Sequence, residues 1–214
     1  MNYRGNLPDW VQEQLRELYW NSLRKLDTTL ARWIAARESE ATILMTGDHG
    51  EEFDHGLLTH SRLYDETIKI PFLVSRPLGT LMEGNITRQL DIAPTIADAL
   101  DISQPKEWEG IPARNPMPPQ PMIGSLSQHD RFWLGIRSER WKGIKRFKRG
   151  EGFEETEVYD LNDDPDEVNP LHESEFPKKL AEALDSFIED RLYRANSRKA
   201  DTSWRGPTQL LRVG

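Results

Sequence analysis

From Asp9 to about Arg37, apolar residues fall at Val11, Leu15, Leu18, Leu23, Leu26, Leu30 and Trp33/Ile34. Steps of three and four residues make this the stripe of an amphipathic helix, with Asp9 placed to cap its start. Asp27 interrupts the apolar surroundings, either as a buried polar contact or on the helix edge, and the edge is favoured. The pattern then changes. "ATILMT", Ala41 to Thr46, is short, apolar and β-branched at Thr42 and Ile43, with charge before it and Gly after, and reads as a buried strand. "IPFLVS", Ile70 to Ser75, reads likewise, with Pro71 tolerable near its start. "DIAPTIADAL", Asp91 to Leu100, predicts a short helix with Asp91 at or near the cap and Pro94 in the first turn. Helix, strand, loop, strand, helix is the order of an α/β layer around a mainly parallel sheet.

The segment Glu109 to Pro121, "EGIPARNPMPPQP", carries five of the 14 prolines and reads as an extended connector. A boundary placed there separates residues 1–121 from a small α+β subdomain over 122–195, with a loose polar tail over 196–214. Beyond the connector, "RFWLGIRS", "RWKGIKRF" and "TEVYDLN" predict three strands of an antiparallel sheet. Ser174 to Ala195 follows as an amphipathic helix, apolar at Leu180, Leu184, Phe187, Ile188 and Leu192. The expected class is α/β: a mixed sheet with helices, plus a small C-terminal antiparallel sheet with a packed helix.

Composition narrows the function classes. A formal charge of -8 argues against a nucleic-acid partner, which usually needs a basic face. The local exception, Arg137 to Gly150, "RSERWKGIKRFKRG", is read as a solvated strand pair rather than a phosphate-binding patch. Zero Cys removes disulfides, thiolate metal sites and cysteine nucleophiles together. No apolar run approaches the ~20 residues of a membrane span, and "MNYRGNLPDW" has no signal-peptide pattern. A cytoplasmic protein without a membrane partner is the expectation.

The chemistry concentrates in "TILMTGDHGEEFDHGLLTH", Thr42 to His60, which holds three of the five His and four acidic residues. Ligands of open α/β sheets gather beyond the carboxyl ends of strands. Asp48 and His49 stand two and three residues after Thr46, flanked by Gly47 and Gly50, which permit a tight turn. A carboxylate beside an imidazole can hold a divalent ion; equally, the pair can simply shape the turn. An imidazole must be neutral to ligate, so such binding weakens below roughly pH 6.5, the ordinary His range. Two ligands are too few for a hard cation, which takes ~6 donors. His55 and His60 follow in the loop, where a His can donate to an anionic ester or protonate a leaving group. For His55 alone, a ring satisfied by backbone is the stronger reading. Glu51, Glu52 and Asp54 read as solvated loop charges. A calcium loop at Asp160 to Leu171, "DLNDDPDEVNPL", is disfavoured, because Pro165 takes the sixth position, where the turn requires Gly, and Leu171 the place of the bidentate Glu.

The block Thr42 to Pro77, "TILMTGDHGEEFDHGLLTHSRLYDETIKIPFLVSRP", resembles the C-terminal side of the catalytic domain of the sulfatases, within the alkaline phosphatase superfamily. The likeness continues through "RQLDIAPTIADALDI" and "LGIRSERWKGIKRF" to "EVYDLNDDPDEVNPL", and the Asp9–Arg37 helix matches the one before the metal strand. The resemblance implies that Asp48 and His49 are a metal-ligand pair for calcium or a related divalent ion. It implies that His60 contacts the sulfate ester and that His55 belongs to the turn before it. Lys69 replaces a usual Arg. The family also carries a Cys/Ser-x-Pro-x-Arg motif, whose first residue becomes a formylglycine nucleophile, and an Asp-Asp pair that completes the metal site. No Cys/Ser-x-Pro-x-Arg motif occurs in this sequence, and no Asp-Asp pair stands near its N-terminus.

The expected function is therefore metal-dependent hydrolysis of sulfate esters, small molecules or glycans, by a truncated or split form inactive without an N-terminal sulfatase half. One alternative is a non-catalytic protein of this fold that binds a partner or anion, with an apolar patch around the first helix and strand and a tendency to associate. Another is a phosphoester hydrolase or transferase of the same superfamily.

Overall fold

The computed structural model describes residues 7–37, 41–53, 55, 60, 62–75, 88–113, 122–128 and 130–200, the stretches 122–128 and 192–200 as backbone. They divide into two compact units, one within Met1–His60 and Glu66–Pro77, the other within Ser61–Asp65 and Leu78–Gly214.

The first unit opens with helix α1, Asp9–Ala35. Pro8 takes the cap position, its carbonyl accepting from Val11 and Gln12 N–H at 2.8 and 3.1 Å. Asp9 is thus the first helical residue, where its charge favours the positive end of the helix dipole, rather than the cap. None of the 27 residues is buried: Leu18, Leu26, Trp33 and Ile34 are exposed. Asp27 is exposed too, as the edge reading expects.

Strands β1 (Leu44–Thr46) and β2 (Phe72–Val74) pair antiparallel, Leu44 with Val74 and Thr46 with Phe72. Ser75 lengthens the ladder, its N–H donating to Ile43 O and its Oγ accepting from Ile43 N–H, both at 2.9 Å. Two expectations are corrected. This sheet is antiparallel, and neither strand is buried, Leu73 being exposed. A fully buried strand needs cover on both faces, which the described residues do not supply to three-residue strands with one neighbour each. The short helix α2, Asp65–Ile68, lies between them in the chain.

In the second unit, Asp91 holds the N-cap position of helix α3, Ile92–Ala99, without a side-chain bond to the helix, and Pro94 lies in the first turn as expected. Its buried carboxylate accepts from Arg88 N–H, Nε and Nη2 and from Ile111 N–H at 2.8–3.0 Å. A four-stranded antiparallel sheet follows in chain order: β3 (Met122–Gln128), β4 (Arg131–Arg137), β5 (Trp141–Lys148) and β6 (Gly152–Asp160). The last three are the predicted strands. β3 is an addition, in register with β4 from Met122–Arg137 to Gln128–Arg131.

Alternation along β4 sends Phe132, Leu134 and Ile136 to one face. There they meet Val158, Phe176, Leu184 and Ile188, and helix α4, Lys178–Ala200, closes this core. The helix starts four residues later than its apolar pattern suggested, after a 3-10 turn at Glu173–Glu175, and continues through residues 196–200, which were expected to be loose. Residues 201–214 lie outside the described residues, as does 114–121 of the predicted connector. The mixed α/β architecture with two small antiparallel sheets is consistent with the partial alkaline-phosphatase-like fold that the resemblance implies.

Candidate metal centre

The loop leaving β1 is stitched to α2. Gly50 N–H donates to Thr67 O at 2.7 Å. A Cβ on Gly50 would lie 1.9 Å from Glu66 O, so only glycine permits this approach. The Glu52 side chain is wholly buried and accepts from Thr67 Oγ1 at 3.0 Å. Glu66 accepts from Phe53 N–H at 3.2 Å on one oxygen and pairs with His55 Nδ1 at 2.9 Å on the other. The Phe53 ring meets Tyr19 of α1 edge-on.

His49 and Glu51 flank the pinned Gly50. His49 Nδ1 lies 2.9 Å from Gly50 O. A carbonyl only accepts, so Nδ1 carries the proton and Nε2 presents its lone pair. The His60 ring stacks on that of His49 with centroids 4.1 Å apart and planes 23° apart, and its Nδ1 is 3.5 Å from Glu51 Oε2. Among the described residues, one ligand atom from each of His49, Glu51 and His60 lies within 4.8 Å of the other two. The three are exposed or half-buried, open to solvent.

Asp48 is 92% exposed, with Oδ1 accepting from His49 N–H at 3.0 Å and Oδ2 3.8 Å from His49 Nε2. That backbone donor is the main reason its carboxyl sits below the ordinary carboxylate range. The structure thus brings His49 and His60 together, leaves Asp48 beside them, and ties His55 to the Glu66 carboxylate. The view of Glu51 and Glu52 as solvated charges is corrected. Glu52 is an interior bond to α2, and Glu51 is part of the cluster. Consecutive loop residues face different ways, and Thr67, fifteen positions on, receives Glu52 inside. Asp54 lies outside the described residues.

The other charged stretches are occupied internally. In the basic segment, Arg137, Arg140, Lys142, Lys145, Arg146 and Lys148 each face a carboxylate, namely Asp65, Asp160, Asp65 with Glu167, Asp185, Glu154 and Glu151. Lys142 is buried, not solvated as a strand-pair reading supposed. In the acidic turn, Arg140 grips Asp160, and Asp164 accepts from Val168 and Asn169 N–H.

The chain is similar to the sulfatases over a little under half of its length: the family model described as Sulfatase matches residues 2–102. That range holds α1, the His49–His60 loop, β1, β2 and α3, and leaves the C-terminal sheet outside it. The chain is also similar to the 2,3-bisphosphoglycerate-independent phosphoglycerate mutase of Gracilaria tenuistipitata var. liui, with 28% identity over 103 residues, covering 42% of this chain and 19% of that protein.

Proposed function

We propose that the loop after β1 is the cation-binding part of a site that hydrolyses sulfate esters, and that its nucleophile comes from outside this sequence. The observation that carries the reading is the convergence of His49, Glu51 and His60 at the end of β1, within the segment that matches the sulfatases. Electrostatics supports it. Asp48 and Glu51 would repel a sulfate monoester, so an anionic substrate needs a cation held between them and itself. Two imidazoles and a carboxylate are donors that divalent ions accept, and solvent on the outer side leaves room for substrate oxygens. Such an ion, when bound, neutralises ester charge and polarises the bond to the leaving group. The chain's own contribution is to hold donors ready: Gly50 packs on Glu66, Glu52 on Thr67 and His55 on Glu66, which anchors residues 50–52 and 55 before any ligand arrives.

A nucleophile activated for attack on sulfur is still required. The sequence has no Cys and no Ser-x-Pro-x-Arg motif. Assays of this chain on 4-nitrophenyl sulfate with added divalent ions are therefore expected to show no turnover, and adding a polypeptide that bears Cys/Ser-x-Pro-x-Arg is expected to restore it. Turnover by the isolated chain that survives both Asp48→Ala and His49→Ala would refute the assignment. A second reading, phosphoester hydrolysis or transfer, is favoured by the likeness to a phosphoglycerate mutase. Preference for 4-nitrophenyl phosphate over the sulfate in the complemented assay would select it.

A further inference from the structure

We infer that the ion at this site is a borderline transition metal of the zinc type rather than calcium, and that His60 is one of its ligands. The inference rests on the reading of the loop as a cation site, and it replaces the ester contact that family resemblance implies for His60.

The donor set decides the ion. Calcium takes six to eight hard oxygen donors, whereas His49, Glu51 and His60 offer two imidazole nitrogens and one carboxylate. Two His and one Glu, with a further position open to water or substrate, is a set that zinc accepts in four-coordinate sites. Asp48 is the hard-ion candidate, but its carboxylate is turned to solvent, with one oxygen engaged by backbone.

Preorganisation points the same way. His49 gives its Nδ1 proton to Gly50 O, which orients the ring and leaves Nε2 to ligate, an arrangement typical of metal-bound imidazole. The stacked His60 ring already lies beside Glu51. Donors on a four-coordinate zinc sit about 3.4 Å apart for bonds of ~2.1 Å. The pair at 3.5 Å meets that spacing, and the outer limit of 4.8 Å needs only a rotation of open side chains.

Cobalt(II), whose visible absorption strengthens in four-coordinate sites, is the probe, with Zn2+ and Ca2+ as competitors on the full chain. One equivalent of Co2+ should produce the band, Zn2+ should displace it stoichiometrically, and a large excess of Ca2+ should leave it. His60→Ala and Glu51→Gln should each weaken Zn2+ binding about tenfold or more, while Asp48→Ala changes it by less than about threefold. Circular dichroism of each variant shows that the fold is kept. Displacement of Co2+ by Ca2+, or unchanged Zn2+ affinity in His60→Ala, would overturn the inference. Calcium held through Asp48 alone overturns the inference and leaves the ester-hydrolysis reading standing, whereas binding of no divalent ion overturns both.

Discussion

A missing side chain is what shapes the candidate site. Gly50 packs against the backbone of Glu66, and the first atom of any side chain would fall 1.9 Å from a carbonyl oxygen. Backbone cannot yield as a flexible side chain would, so the loop must move. Gly50→Ala is expected to cost about 1–3 kcal/mol, the range of overpacking in tight interiors, and to weaken Zn2+ binding, since His49 and Glu51 shift together. Thermal melting and Co2+ titration read the two effects. At Glu52 the sensitivity is to hydrogen bonding. Removing its carboxylate leaves Thr67 Oγ1 without the acceptor shown here, so Glu52→Ala should destabilise by about 1–3 kcal/mol in the same melts.

Between elements, the strongest constraint is ionic. Asp65, the first residue of α2, accepts from Arg137 of β4 at 2.7 and 2.8 Å and from Lys142 of β5, while its N–H donates to Glu167 at 2.6 Å. Burial pushes the Asp65 carboxyl up, but the bonds from Arg137 and Lys142 outweigh it and hold the pKa at about 2, against an ordinary 3.8. A depressed carboxylate contributes stability that is complete above its unfolded value and is lost as pH falls through the folded one. The pair should thus contribute about 2 kcal/mol at neutral pH, vanishing between pH 3.8 and about 2. Glu167 acts in the opposite sense, because burial raises its pKa despite the pull of Lys142. Asp65→Asn isolates the first term: denaturant unfolding should show lower stability at pH 7 and a flatter profile across that acid window. On the other sheet face, Leu184 of α4 is completely buried, so Leu184→Ala should cost about 2–5 kcal/mol in the same experiment.

For the whole molecule the notable property is uncovered apolar surface. Helix α1 carries a regular apolar stripe yet buries no residue, and Leu73 of β2 is exposed as well. Such surface promotes association and dye binding. Fluorescence of an apolar dye should rise on adding the folded chain, and light scattering should show association as concentration increases. The double variant L18K/L26K should reduce both without lowering the melting temperature, because neither leucine is buried. A well-behaved monomer with no dye response would contradict this account of α1.

Local pattern alone determined α1, α3, α4 and three strands of the C-terminal sheet, because helical and strand periods are written in neighbouring residues. It also singled out the Gly-Asp-His-Gly loop, since strand ends in α/β sheets gather ligands whatever surrounds them. β3 escaped because "MIGSLSQ" mixes Gly and Ser into its apolar positions, and its partner strand defines it. Depth and company were decided by tertiary structure. The apolar runs at β1 and β2 looked interior but are not, because burial depends on what covers a strand rather than on the strand. Glu52 and Lys142 looked like ordinary solvated charges. Their roles come from partners further along the chain, 15 positions away for Glu52 and Thr67 and 77 for Lys142 and Asp65, and no local period encodes contacts at that range.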